Sequence, residues 1–358
     1  MTPAELATDR ESLLAAAAKA KEIARAIACY NRGLEQSDRH DYAGALREYG
    51  QAIALDPQYA SAYYNRGYVY HMLEDYPAAL ADISRAIELN PGDAEAYSIR
   101  GLTYACLQDY AAALADYGRA LAVRPNFPGA YLNRATSYFR LKDYPAALQD
   151  LARAMELDPT YAYAYRNRGN LHFALNDYPA ALADYERAIE LGLQGADDFC
   201  RRGHTHYALK DYAAALADFG RATELDPQDA DAFHHRGDAC FKLQDYAAAL
   251  ADYSRAIELK LQDPGLYLMR GLIHSDLGDY AAALADYRQA LEIDPTYADA
   301  VYNTACTYAL QREAALACDW LRRAIGMGEQ YLELCRTDSD FDLIRETPEF
   351  QALLGGGG

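Results

Sequence analysis

The feature that most constrains this chain is an Asp-Tyr pair that returns every 34 residues. The pair begins at 41, 75, 109, 143, 177, 211, 245 and 279, with no insertion or deletion between copies. The stretch from Asp245 to Tyr253 recurs letter for letter at Asp109 to Tyr117 and at Asp279 to Tyr287. A fixed period of this length is typical of proteins that stack one small supersecondary element many times. We therefore predict one array of repeats.

Each repeat carries two apolar patterns of helical spacing, which are separated near the Asp-Tyr pair. Asp75 is placed to cap a second helix, and Pro77 follows in the first turn, where no hydrogen-bond donor is lost. Most repeats end in a proline that cannot extend the helix before it. Leu193 and Leu261 replace that proline, so we expect slightly different spacing at these two junctions. Every repeat should be a helix–turn–helix, which makes the fold all-α.

A glycine at the eighth place of seven repeats predicts that two helices approach closely, at small residues such as Ala79 and Ala86. With the aromatic residues around it, and the alanines and proline that follow, this pattern resembles the tetratricopeptide repeat (TPR) family, bacterial type, over 26–331. The resemblance implies an α-solenoid, a right-handed superhelix whose first helices line a concave groove that holds protein partners.

Nine repeats fill this region, and the segments on either side of it are shorter. Residues 1–25 should form an N-terminal capping helix, 332–354 a C-terminal capping segment, and 355–358 a flexible glycine tail. The repeats begin at 26, 60, 94, 128, 162, 196, 230, 264 and 298.

The seventh place departs from the family pattern, because eight repeats carry arginine where the family usually has a large apolar residue. Each of these repeats has an acid sixteen residues later, and the ninth repeat changes both, to Thr304 and Trp320. A half-buried arginine alone would be costly, so the paired loss predicts an ion pair within each repeat. We interpret the set as a structural ladder that fixes helix register; the alternative is a line of exposed binding charges. The predicted pairs are Arg32–Glu48, Arg66–Asp82, Arg100–Asp116, Arg134–Asp150, Arg168–Asp184, Arg202–Asp218, Arg236–Asp252 and Arg270–Asp286.

The overall charge and composition argue against several classes of function. With 34 basic and 53 acidic residues the formal charge is −19, which disfavours nucleic acid, and an RNA-binding helical array is the poorest hypothesis. No apolar run approaches the ~18 residues of a membrane span. Seven cysteines without a CxxC pair, and an N-terminus without a basic region before an apolar core, make the cytoplasm the expected compartment.

Specificity should lie where the repeats differ, on the exposed side of the first helices, which the TPR family uses for ligands. Arg166, Asn170 and Arg201 approach the geometry of a clamp for an acidic C-terminus, but Asp231 stands where a lysine would be wanted. Three histidines could meet across neighbouring first helices and hold zinc; the alternative, a solvated groove, leads us to predict no metal. The candidate groove residues are Tyr64, Asn65, Tyr68, Asn133, Arg166, Asn167, Asn170, Arg201, His204, His234, His235 and Asp238.

No phosphate-binding loop, nucleophile elbow or HExxH helix interrupts the repeats, so we predict neither an enzyme nor a cofactor. The segment Asp338–Asp342 imitates a calcium loop, but Leu343 stands where such a loop needs glycine. The leading hypothesis is a scaffold that binds a peptide or helical segment of a partner protein in its groove, as a monomer or weak homo-oligomer. The alternative is a structural solenoid that assembles with itself through its end repeats.

Overall fold

The computed structural model describes residues 3–259 and 262–355, and within these ranges it contains helices and turns but no strand. None of the described helices is long and apolar enough to cross a membrane. The chain divides into two compact units. The N-terminal unit runs to Leu175 and includes Glu190–Gly192; the C-terminal unit comprises Asn176–Ile189 and the chain from Leu193 onward.

From the second repeat on, the first helix of each repeat begins at the residue that the 34-residue period predicts. They are α1 (Pro3–Asp38), α3 (Ala60–Met72), α5 (Ala94–Cys106), α7 (Pro128–Arg140), α9 (Ala162–Ala174), α11 (Ala196–Ala208), α13 (Ala230–Lys242), α15 (Pro264–Asp276) and α17 (Ala298–Leu310).

The second helices begin at the tyrosine of the Asp-Tyr pair, or at Ala314 in the ninth repeat. They are α2 (Tyr42–Leu55), α4 (Tyr76–Leu89), α6 (Tyr110–Val123), α8 (Tyr144–Leu157), α10 (Tyr178–Glu190), α12 (Tyr212–Leu225), α14 (Tyr246–Glu258), α16 (Tyr280–Ile293) and α18 (Ala314–Met327). The chain continues as α19 (Gln330–Thr337), a 3-10 turn (Ser339–Phe341) and α20 (Pro348–Gly355).

The aspartate of each Asp-Tyr pair caps the second helix that it precedes. Its carboxylate accepts a hydrogen bond from the backbone N–H three residues later, for example from Ala112 to Asp109 at 3.0 Å. The residue just before the capping position has a positive φ in eight repeats, such as 62° at Lys142, and Gly278 takes that place in another. A left-handed residue ends the first helix and reverses the chain, so this pair of residues produces the turn.

The N-terminal segment is helical and continues into the first repeat. Helix α1 passes through Ala26 without a break, because 11–25 consist of strong helix formers with no glycine or proline. The side chains at 16–25 are exposed, and a capping role for 1–25 stays a prediction. At the other end, Phe341, Ile344 and Phe350 are buried against α17 and α18.

The two unusual junctions keep the period and shorten a helix. Helices α10 and α14 have 13 residues where the other second helices have 14. At the first junction Gly192 has φ 106°, a conformation that glycine adopts readily. The following first helices still begin at Ala196 and Pro264, so the period is kept at both junctions. Leu261 lies outside the described residues.

The repeated glycines lie against large side chains, so the prediction of small facing residues was wrong. A Cβ at Gly101 would lie 2.9 Å from Cε1 of Tyr117, the residue sixteen places later. At Gly67 the nearest atom belongs to Ile83, and Ala79 contributes only its backbone oxygen at 3.2 Å. Glycine therefore leaves room for the ring or branched side chain of the second helix to lie across the first helix.

The arginines of the ladder bind the carboxylates sixteen residues later. In six repeats Nε and Nη2 donate to the two oxygens of one aspartate, at 2.5–3.0 Å. Arg32 donates through both nitrogens to a single oxygen of Glu48. Arg168 and Asp184 belong to different units, and their pairing stays a prediction. The six two-oxygen pairs are Arg66–Asp82, Arg100–Asp116, Arg134–Asp150, Arg202–Asp218, Arg236–Asp252 and Arg270–Asp286.

These ion pairs are built into the packing. The six aspartates are 2–7 % exposed, and each guanidinium also lies over the aromatic ring three residues before it, as Arg100 does over Tyr97 at 5.7 Å. Nη1 of Arg100 reaches Ser84 of the preceding repeat at 3.1 Å. A single arginine thus joins two helices of one repeat and links that repeat to its neighbour.

Removing one partner of such a pair should destabilise the fold more than removing both. We expect Asp150→Leu to lower the free energy of unfolding by about 3 kcal/mol, because Arg134 would remain half-buried without its carboxylate. The double variant Arg134→Met with Asp150→Leu should recover most of that loss. Urea unfolding measures both, and Arg221→Met, which breaks an exposed pair with Glu224 on another second helix, is the control that should cause no measurable change. A double variant no better than Asp150→Leu would contradict the ladder.

Two glycines in the third repeat should respond in opposite ways to alanine. Gly101→Ala should destabilise the protein by about 1–3 kcal/mol, because the new methyl group would collide with the Tyr117 ring. Gly118, in α6, has no neighbouring atom within 4 Å of the point that a Cβ would occupy, so Gly118→Ala should stabilise by about 0.5–1 kcal/mol. Thermal unfolding of the two variants shows whether each substitution raises or lowers the melting temperature. Equal changes in the two variants would contradict the close approach of the Tyr117 ring to Gly101.

Candidate functional site

In the N-terminal unit, the candidate groove residues of the second repeat hold neighbouring first helices together. The side-chain amide of Asn65 donates to the hydroxyl of Tyr30 at 2.8 Å and to the backbone oxygen of Ser61 at 3.1 Å. Tyr64 packs in the apolar cluster between the second and third repeats, and burial raises its pKa. Tyr68 is exposed, at 38 % of its surface. The second repeat therefore presents a half-buried Tyr64, an Asn65 that links two helices, and an exposed Tyr68.

The fourth and fifth repeats continue this arrangement along the same unit. Asn167 donates to Oγ1 of Thr136 at 3.1 Å, which links α9 to α7. The guanidinium of Arg166 lies over the ring of Tyr163, 4.8 Å from its centroid. Asn133 and Asn170 are half-buried. Amide groups and aromatic faces thus recur at the first-helix positions that vary between repeats.

In the C-terminal unit, three histidines on α11 and α13 come together as a histidine cluster, which we define as His204, His234, His235 and Asp238. The ring of His204 meets that of His235 edge to face at 4.3 Å, and His235 stacks on His234 at 4.9 Å. Oδ2 of Asp238 lies 3.6 Å from Nε2 of His234 and 3.5 Å from Nδ1 of His235. One acidic residue therefore faces two imidazoles.

Two aromatic residues of the second helices complete this cluster, and the sequence interpretation did not include them. Phe219 contacts His204 at 5.1 Å and His235 at 5.7 Å between ring centroids. The hydroxyl of Tyr253 donates to Oδ1 of Asp238 at 2.9 Å. Both occupy the aromatic place of the second helix that lies against the repeated glycine, which is the sequence signal that locates them.

Burial sets the charge state of the cluster. The pKa of His204 is lowered to about 4, first by loss of water, then by His235; Arg201 and His234 act in the same direction, and Asp238 opposes them. Burial and the nearby Asp238 raise the pKa of Tyr253. His204 is consequently a neutral imidazole at pH 7, half-buried against an aromatic ring.

The ligand atoms of the cluster are not drawn together as those around a bound metal ion are. No three of its ligand atoms lie within 4.8 Å of one another; among the described residues, only Cys306, Asp338 and Asp340 reach that spacing. Asp338 there accepts the hydroxyl of Tyr302 at 2.7 Å and the backbone N–H of Asp340 at 3.0 Å. These bonds close the C-terminal segment onto α17, so the group has a structural role in the fold.

The predicted clamp residues fall in different units. Arg166 and Asn170 belong to the N-terminal unit, whereas Arg201 belongs to the C-terminal unit. Each unit is described separately, so a clamp that combines the three residues stays a prediction.

The lowered pKa of His204 should appear as a loss of stability in acid. An unfolded histidine titrates near 6.5, so between pH ~6.5 and ~4 the unfolded chain binds this proton more readily than the folded chain. The free energy of unfolding should therefore fall over this window, by up to about 3 kcal/mol from this residue. Urea unfolding at the two ends of the window should show a smaller fall for His204→Gln than for the wild-type chain. His40→Asn, at an exposed turn, is the control, and an unchanged fall in His204→Gln would contradict the assignment.

Comparisons with protein families agree with the helix pattern. Profiles described as tetratricopeptide or TPR repeats match residues 37–74 and 101–142, 60–93 and 265–297, 127–194, and 200–264. Together they cover 37–93, 101–194 and 200–297, well over half of the chain. A search of curated proteins finds no match.

Solved structures of low sequence identity share the fold. The C-terminal part of a TPR repeat-containing protein from Cytophaga hutchinsonii is 19 % identical with a TM-score of 0.56, over 66 % of this chain and 98 % of that one. PilW, a type IV pilus biogenesis factor, is 20 % identical with a TM-score of 0.53, over 56 % and 94 %. The APC/C hetero-tetramer Cut9–Hcn1 matches at 18 % identity and a TM-score of 0.52, over 82 % of this chain and 55 % of that one. The chain is a member of the tetratricopeptide repeat family.

Proposed function

We propose that this protein is a non-enzymatic scaffold that binds a peptide or helical segment of a partner protein along its first helices. The observation that carries the proposal is the contrast between the repeated ladder and glycine positions and the variable groove positions. The ladder and glycine positions repeat and are occupied by internal contacts, whereas the candidate groove positions vary and present amide, imidazole and phenol groups. A surface for a specific partner needs such variation, because repeated residues alone would offer every partner the same contacts.

The chemistry of these positions suits a peptide backbone. Asn65 uses both of its amide hydrogens on Tyr30 and Ser61, so its carbonyl oxygen is placed to accept an N–H from a partner. Neutral imidazoles supply both a donor and an acceptor, and His204 is neutral at pH 7 because burial lowers its pKa. The exposed ring of Tyr68 adds apolar contact with a hydroxyl at its tip.

This chemistry favours peptide recognition over the capture of an acidic C-terminus. A clamp for carboxylates needs cations, and in the histidine cluster the buried His204 stays uncharged at neutral pH while Asp238 brings a negative charge. Complexes in this family provide a general precedent: Cut9, for instance, is part of a hetero-tetramer with Hcn1.

Peptide selection on the intact chain tests the proposal. Short random peptides displayed on phage are panned against the protein, and the affinities of the selected peptides are measured by calorimetry. We expect each peptide to bind at least tenfold more weakly to one of two groove variants. These are Asn65→Ala with Tyr68→Ala in the N-terminal unit, and His234→Ala with His235→Ala in the C-terminal unit.

The matched control lies on the second helices. Arg221→Ala breaks an exposed ion pair with Glu224 on α12 and should leave the affinities unchanged. Peptides that bind both groove variants as tightly as the wild-type chain would overturn the proposal. Peptides whose affinity falls only in the control variant would also overturn it. Light scattering over a range of concentrations separates it from self-assembly, because a concentration-independent monomer removes that alternative.

A further inference from the structure

The ninth repeat lacks the ion pair of the ladder, and a cavity lies in its place. Thr304 stands where the arginine would be, and its hydroxyl donates to the backbone oxygen of Ala300 at 2.7 Å. Trp320, which replaces the acid, is half-buried beside it. The cavity has a volume of about 200 Å³ and lies among α16, α17 and α18 within the C-terminal unit. The cavity thus lies in the repeat that has lost the arginine and the carboxylate of the ladder.

One part of the lining of this cavity is apolar or aromatic. Leu284 and Leu291 of α16, Tyr308 of α17 and the indole of Trp320 line it. A cavity of about 150 Å³ lined by apolar side chains is large enough to bind benzene. The space beside Trp320 therefore suits one aromatic ring together with a small substituent.

Two arginines line the same cavity, and one of them lacks an internal partner. Arg323 lies over the Trp320 ring at 5.1 Å and donates to the backbone oxygen of Pro295 at 3.0 Å. Arg288 has no hydrogen bond or ion pair with any residue in the described part of the chain. Arg288 is exposed, so its guanidinium is open to an incoming anion.

A one-residue shift in the sequence explains why Arg288 is left over. In other repeats an arginine one place later pairs with the glutamate three residues on, as Arg255 does with Glu258 at 3.1 Å. In the eighth repeat Gln289 takes that place and donates to Glu292 at 2.9 Å. Glu292 also lines the cavity, so the cavity carries two guanidinium groups against one carboxylate that already has a donor.

We propose that this cavity is a binding site for an aromatic carboxylate. The ring would lie beside Trp320 and Tyr308, and the carboxylate would receive hydrogen bonds from Arg288, with Arg323 as a second cation. The site is distinct from the proposed groove, because Thr304 and Tyr308 occupy the opposite face of the first helix from the groove positions. A free aromatic acid and the C-terminal phenylalanine of a peptide offer the same chemistry.

The single tryptophan of the chain makes the test direct, because Trp320 is the only source of indole fluorescence. The intact protein is titrated with 3-phenylpropionate and, in a separate arm, with a peptide that ends in phenylalanine with a free carboxylate. We expect a saturable change in emission in at least one arm. The corresponding amides, 3-phenylpropionamide and the amidated peptide, should bind at least tenfold more weakly.

Variants distinguish the site from general adsorption. Arg288→Gln should weaken binding at least tenfold, whereas Arg322→Gln, which breaks an exposed pair with Asp319 on α18, should leave it unchanged. The double variant Thr304→Arg with Trp320→Asp restores the residues of the ladder and should fill the space. Calorimetry should then detect no binding, while circular dichroism shows an intact helical fold.

Three results would overturn the proposal. They are no saturation in either arm, equal affinity for acid and amide, and an unchanged affinity in Arg288→Gln. If Arg288→Gln does not fold, Arg288→Lys keeps the charge and loses the planar fork, so it should bind with reduced affinity. None of these outcomes involves the histidine cluster or the asparagines, so the groove proposal is tested independently.

Discussion

The interaction on which the described repeats depend is the ion pair between an arginine of the first helix and an aspartate of the second. The aspartates are almost fully buried, and a buried carboxylate is tolerated only when its charge and its lone pairs are satisfied. The planar guanidinium meets both oxygens at once and also lies over an aromatic ring, so only one relative placement of the two helices satisfies it. In this way charge fixes a register that a core rich in alanine would define poorly.

The neighbouring position completes this arrangement. The glycine that follows most of these arginines allows a side chain of the second helix to cross the first helix. This side chain, an aromatic ring or Ile83 at Gly67, comes one residue after the aspartate that binds the arginine. Ion pair and ring therefore act side by side on the same two helices. Because these positions are committed to the fold, our proposal assigns partner recognition to the other face of the first helices, where the repeats differ.

The last repeat of the array is stabilised by apolar packing, whereas the interior repeats are held in register by ion pairs. The ninth repeat replaces the ion pair with Thr304 and Trp320 and gains apolar cover from Phe341 and Phe350. A terminal repeat has no following repeat to bury its surface, so it needs apolar bulk more than it needs a charged register. That exchange also leaves the cavity beside Trp320. In the first repeat, by contrast, α1 extends past its neighbours with exposed side chains.

The sequence by itself determined the helix pairs, because the fixed period, the capping aspartate and the terminal proline are local signals that hold in nearly every copy. It also pointed to the partner of each arginine, since Thr304 and Trp320 changed together. Only the tertiary structure decided what lies across the glycines, because a ring and an alanine in the second helix are equally compatible with helical spacing.

The same holds for the histidine cluster, whose contacts with Phe219 and Tyr253 arise between the two helices of a repeat. The cavity between α16 and α18 likewise depends on side chains from three helices. Local patterns specify helices, whereas the shape and electrostatics of a site come from residues that only packing brings together.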